Sequence, residues 1–146
     1  MQINTSRFGN LEIKADDILL FPSGLAGFET CRHWVLLEDS ANDAVGWLQS
    51  ISDAAVALPV VSPRRFLADY QVRIARNQLS LLQLAAVDEA YILAVVSKND
   101  DRFTLNLRAP IIINLDRRLG RQVLTTDEQP LQFELTTFAT AARKIA

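Results

Sequence analysis

Side chains that carry chemistry are scarce here: one cysteine, Cys31, and one histidine, His33, in 146 residues. A single thiol excludes an internal disulfide and agrees with a reducing compartment. One Cys with one His cannot fill a zinc site, and Asn99-Asp100-Asp101 lacks the spaced carboxylates and closing glutamate of a calcium loop. No metal site is therefore expected. Long apolar runs are missing too. The most apolar long window, Leu79 to Val96, is broken by Asp88-Glu89, so no membrane span is expected. The first residues, Met1 to Arg7, lack the apolar stretch of a signal peptide. Charge of one sign is absent as well: 17 acidic against 15 basic residues leave −2, too weak a field to argue for nucleic acid or an anionic membrane. No Gly/Ser-rich or Pro-rich linker and no internal repeat divides the chain. One cytoplasmic domain spanning residues 1–146 is the expectation.

What the sequence does have is short strands. Leu11 and Ile13 alternate with Asn10, Glu12 and Lys14, and Ile18–Phe21 stops at Pro22-Ser23-Gly24. Val35–Leu37, Val45–Ile51 and Val56–Val61 follow; Pro59 cannot donate to a ladder, which places it at an edge or a bulge. Val72 and Ile74, then Phe103, Leu105 and Leu107, then Leu131, Phe133 and Leu135 alternate with polar residues, predicting strands with one wet face. Tyr91–Val96 and Ile111–Ile113 are continuous apolar runs, as in strands covered on both faces. Asn99-Asp100-Asp101 should close a hairpin between Tyr91–Lys98 and Phe103–Arg108. One helix is predicted after Asn77 as cap, with Leu79, Leu82 and Ala86 on one side. Thr137–Ile145 reads either as a second short helix or as a frayed tail. Many short strands with turns between them predict a mainly β fold, an antiparallel β-barrel-like domain with one or two short helices.

Candidate chemistry is thin. His33 lies two positions from Cys31, so on a strand the two would share a face as a thiolate–imidazole pair. An ordinary strand with a buried cysteine and a partly exposed histidine is the simpler account, since nothing nearby would orient the pair. No catalytic residue is assigned. Gly24-Leu25-Ala26-Gly27-Phe28 lacks the lysine and the glycine density of a phosphate loop; its glycines read as turn geometry. Arg117, Arg118 and Arg121, with Arg64-Arg65, support an alternative reading as a direct RNA-binding β domain. The absence of interleaved aromatics and the negative charge favour solvated turn residues.

The segment Ser62–Gln71 is less easily set aside. It puts Phe66, Leu67 and Tyr70 beside Asp69 between two predicted strands. Loops run over surfaces, and aromatics next to a charge there are typical anchors for a protein partner. The same residues could equally cover an open end of the barrel. Both accounts stay open on the residues alone.

Several strings in order resemble one family. Ile18–Glu29, with its strand followed by Gly24-Leu25-Ala26-Gly27-Phe28, is similar to the opening of the bacterial flagellar assembly factor FliW family. So are Trp47-Leu48-Gln49-Ser50, the Pro63…Phe66…Asp69-Tyr70 segment, and Asn106-Leu107-Arg108-Ala109-Pro110-Ile111-Ile112-Ile113-Asn114 with Gly120-Arg121-Gln122-Val123. The strings span about residues 3–125, and Asn106–Asn114 is the most specific. The resemblance implies a β-rich partner switch without a cofactor. Such proteins bind flagellin in the cytoplasm and, once flagellin is exported, bind the regulator CsrA allosterically, relieving repression of the flagellin messenger. It carries partner binding onto Phe66, Asp69, Tyr70, Gln71, Asn106 and Asn114. Helical flagellin termini imply an apolar groove, and a basic regulator would favour acidic groups such as Asp69. Gln71 stands where the family commonly has Glu, Ala26 where Pro is common, and Leu131–Ala146 does not resemble the family's end.

Overall fold

The computed structural model of the chain describes residues 1–86 and 89–135. The candidate second helix, Thr137–Ile145, lies outside the described residues. Eleven strands and one α-helix are assigned among them. Strands β1 (Gln2–Thr5) and β2 (Gly9–Glu12) form a separate antiparallel hairpin. The others are β3 (Ile18–Leu20), β4 (His33–Glu38), β5 (Val45–Ser50), β6 (Ala57–Val61), β7 (Tyr91–Asn99), β8 (Arg102–Leu105), β9 (Ile111–Asn114), β10 (Leu119–Gln122) and β11 (Phe133–Leu135). They form one sheet in the order β11-β8-β7-β6-β5-β4-β3-β10-β9, and β9 pairs back onto β7. Seven strands, β3 to β7 with β9 and β10, thereby close into a barrel; β8 and β11 extend from β7 as a flap. The barrel is antiparallel except at one seam, where β3 and β10 run parallel with a single register pair, Leu20 with Leu119.

Alternation along the strands sorts the apolar residues into an interior and two outer faces. Leu19, Trp34, Leu48, Val60, Leu93, Ile111 and Ile113 come from six different strands and pack into one cluster with Phe21, which fills the lumen. The seventh strand contributes Gly120: a Cβ there would lie 2.2 Å from the Phe21 ring, so only glycine leaves room for it. The next residues along point outward. Val35 packs beneath the β1–β2 hairpin with Ile3 and Ile13. Val45, Val61, Ala94 and Ile112 are covered by Tyr70, Val72, Leu82 and Leu84, together with Leu105 and Leu107. The continuous run Ile111–Ile113 is apolar because the lumen lies on one side and this outer cover on the other.

Several local expectations are corrected. Gln71–Ile74 keeps its alternation, with Val72 buried and Gln71 and Arg73 exposed, yet it is not a strand. The Arg73 carbonyl accepts from the Thr126 N–H at 2.7 Å in place of a ladder. Helix α1 (Arg76–Leu81) starts after Ala75, not Asn77, and Ala75 caps it without a side-chain bond. Alternation puts Thr104 on a wet face; it is buried at 7% exposure, while Leu131 is half exposed at 50%. Pro59 sits in a strand flanked on both sides, but β7 pairs only with Val60 and Val61, so its missing N–H falls where the second ladder has ended. The predicted hairpin is present: β7 and β8 pair through Asn99 and Arg102 across Asp100-Asp101, with Asp100 left-handed (φ 56°).

Candidate partner-binding site

Between β6 and α1 the chain makes one 3-10 turn, Pro63–Arg65. Proline suits its first position, where an N–H would lack a helical acceptor. The Phe66 and Leu67 N–H groups both donate to the Pro63 carbonyl, at 3.1 and 2.9 Å, and that of Tyr70 to Leu67 at 3.0 Å. This tight winding turns Tyr70 into the molecule. The ring is 3% exposed, and its hydroxyl donates to the Leu107 carbonyl at 2.8 Å. Burial, with the negative charge of Asp127 adding to it, pushes the Tyr70 hydroxyl up to about 12. Arg64 Nε donates to the Tyr70 carbonyl at 3.0 Å, closing the loop on itself.

The six residues expected to bind partners therefore divide. Asp69 and Gln71 are exposed on either side of the inward Tyr70, and Phe66 is half-buried against the outer core. Tyr70 is buried in the outer core, as in the account in which it covers the barrel, and it also lines the neighbouring groove. Asn106 and Asn114 hold turns. Asn106 Oδ1 accepts from the Arg108 and Ala109 N–H groups at 3.2 and 3.0 Å. Asn114, 7% exposed, donates through Nδ2 to the Leu82 and Gln83 carbonyls at 3.0 and 3.3 Å and accepts from Arg117 N–H at 3.2 Å. The buried Asn114 amide, with both ends engaged, has little left to offer another protein, while Asn106 is half-buried and engaged through Oδ1. For the aromatic pair, the account in which they cover the barrel fits better than the anchor account.

Next to this loop lies a feature that no sequence string marked. A groove of about 480 Å³ is lined by Pro63, Tyr70, Glu89, Tyr91, Ile92 and Leu115, among others. Its floor is the start of β7, where Tyr91 and Ile92 pair with Ile113 and Ile112 of β9. Leu115 stands at the rim, 54% exposed.

The competing candidates fare differently. Cys31 is buried in the lumen cluster while His33 is exposed, so the two do not share an environment. Arg118 pairs with Asp16, and Arg121 donates to Gln78 Oε1 at 2.7 Å and to Ser23 at 3.1 Å, so two of the three arginines of that cluster are engaged within the chain. Arg65 faces Asp43 at 3.7 Å, an exposed pair of little energetic weight. Among the described residues no group of three His, Cys, Asp or Glu is placed to hold a metal ion, and no helix is long and apolar enough to cross a membrane. Gly24, with φ 65°, sits where a Cβ would lie 2.5 Å from the Phe28 carbonyl, so the glycines of that string do serve the turn.

The chain is similar to known proteins over most of its length. The family described as FliW protein matches residues 2–135, which extends past the signature strings and takes in β11, so Leu131–Leu135 is not foreign to it. The flagellar assembly factor FliW of Bdellovibrio bacteriovorus is 39% identical over 129 residues, covering 87% of this chain and 74% of that protein. The protein of the same description from Clostridium tetani is 34% identical over 131 residues, covering 88% and 90%. A crystal structure of the flagellar assembly factor FliW superposes with a TM-score of 0.82 at 29% identity, covering 92% of this chain and 95% of that one.

Proposed function

Because this chain belongs to the FliW family of flagellar assembly factors, we propose that it acts as a cytoplasmic partner switch and not as an enzyme. It binds flagellin and, when free of it, binds CsrA, relieving repression of flagellin messenger translation. The whole chain works as one barrel domain. A partner already bound removes the factor from the second equilibrium by mass action, so no turnover and no cofactor are needed. The observation that carries this reading is the family match over residues 2–135. The groove supports it. Pro63, Tyr91, Ile92 and Leu115 offer an apolar recess suited to one face of a flagellin helix. Asp69, exposed on the neighbouring loop, suits a basic regulator.

Calorimetry with the flagellin and the CsrA of the same organism tests the proposal. Both are expected to bind, and excess flagellin to displace CsrA. Asp69→Lys should weaken CsrA about tenfold, roughly 1.4 kcal/mol, with Tm unchanged because Asp69 is exposed. Failure of the wild-type protein to bind either partner would overturn the reading.

A further inference from the structure

The groove has two flanks, and each is tied down by a family-signature residue. On one side Tyr70 fixes the Pro63–Tyr70 loop through the Leu107 carbonyl. On the other, the tie is Asn114, and its position has more to say.

Helix α1 ends in an arrangement that normally calls for glycine. The Leu84 N–H reaches back to the Leu79 carbonyl and the Gln83 N–H to that of Ser80, both at 3.0 Å, with Gln83 left-handed at φ 57°. A side chain in that conformation costs free energy, so the helix end needs support from outside itself. Just beyond this end, the carbonyls of Leu82 and Gln83 are captured by Asn114 Nδ2. The other end of the same amide accepts from Arg117 and so shapes the turn carrying Leu115 at the groove rim.

We propose that Asn114 is a positioning residue for partner binding: one buried amide locks the α1 terminus to the Leu115 turn, so the groove holds its docking shape before a partner arrives. This rests on the reading of the groove as the flagellin surface. If the shape is pre-set, loosening the tie lowers the fraction of molecules competent to bind, and apparent affinity falls by that fraction. The contacting residues themselves stay unchanged.

Asn114→Asp is the sharp test. It keeps the acceptor for Arg117 but loses both donors and sets a carboxylate against two carbonyls. With flagellin as the probe and the full chain as the protein, affinity is expected to fall about tenfold. Amide exchange should quicken at Leu84, beyond the helix end, while Ile112 in the barrel stays protected. Adding Gln83→Gly, which takes the left-handed conformation unaided, should restore about twofold of the lost affinity and slow the exchange at Leu84; a residue that merely stabilised the fold would lower protection at Leu84 and Ile112 alike. Leu115→Asp is the control for the underlying reading. If it leaves flagellin binding intact, the groove is not the docking surface and that reading fails. If Leu115→Asp weakens binding while Asn114→Asp does not, the groove reading stands and the positioning role is overturned. Should Asn114→Asp not fold, Asn114→Ser replaces it, since its hydroxyl is too short to span to α1, and the same outcomes decide.

Discussion

Inside the barrel, Phe21, Trp34, Leu48, Ile111 and Ile113 are all at zero exposure and are held by contact with one another. At the rim, Tyr70, Asn106 and Asn114 hold three loops through hydrogen bonds to backbone groups. The two regions answer to different physics. Lumen stability scales with apolar area and volume, so it is shared among many side chains. Rim geometry depends on a few directional bonds, and losing one leaves a buried carbonyl or N–H without a partner. The lumen makes the scaffold; the rim makes its surface specific. The signature strings reach into both: Trp47-Leu48-Gln49-Ser50 places Leu48 in the lumen, while Asn106–Asn114 places its two asparagines at the rim.

The contrast is open to direct test, and the largest effect should come from the lumen. Trp34→Ala removes the largest of the fully buried side chains and should cost about 3–5 kcal/mol, read as a lower urea midpoint. A loss under about 1 kcal/mol would mean the lumen collapses around the gap, against a rigidly closed barrel. At the rim, Tyr70→Phe should cost about 1–3 kcal/mol because the Leu107 carbonyl is left unpaired. It should also change the alkaline limb. The folded Tyr70 holds its proton to about 12 while the unfolded residue releases it near 10.0, so its contribution is complete below pH 10 and is lost as pH rises toward 12. Denaturation curves of Tyr70→Phe between those values should lack that decline. The smallest effect expected is a gain: Gln83→Gly relieves the left-handed residue and should stabilise by about 0.5 kcal/mol. A loss instead would show that the Gln83 side chain contributes more than its backbone costs.

Much of the scaffold was legible because several strands repeat a period of two, others are short continuous apolar runs, and Asn99-Asp100-Asp101 carries its own turn chemistry. Where the reading went astray, long-range context decided. Gln71–Ile74 alternates like a strand, but its neighbour in space, Thr126, offers one backbone bond and no ladder. Thr104 looks like a solvent residue until β11 pairs beside it through Glu134. Asn77 is a good cap by type, yet the helix begins earlier, where Ala75 is extended. The site was legible as a region and not residue by residue. Tyr70, Asn106 and Asn114 stand out in the sequence, but composition does not separate a side chain that meets a partner from one that shapes the surface a partner meets. The groove stayed hidden for a related reason: Pro63, Glu89, Tyr91 and Leu115 are spread over more than fifty positions and converge only when β7 pairs with β9.

The parallel seam carries a consequence for how the molecule is made. Residue 20 must meet residue 119, so about a hundred residues separate the two lips of the barrel. A chain emerging from the ribosome N-terminus first cannot close until β10 has cleared the exit. Until then the free edge of β3 and the faces of Phe21 and Trp34 stay open to water and to other chains. Synthesis of this protein thus contains a vulnerable interval that ends abruptly when Gly120 arrives and the Phe21 ring can settle over it.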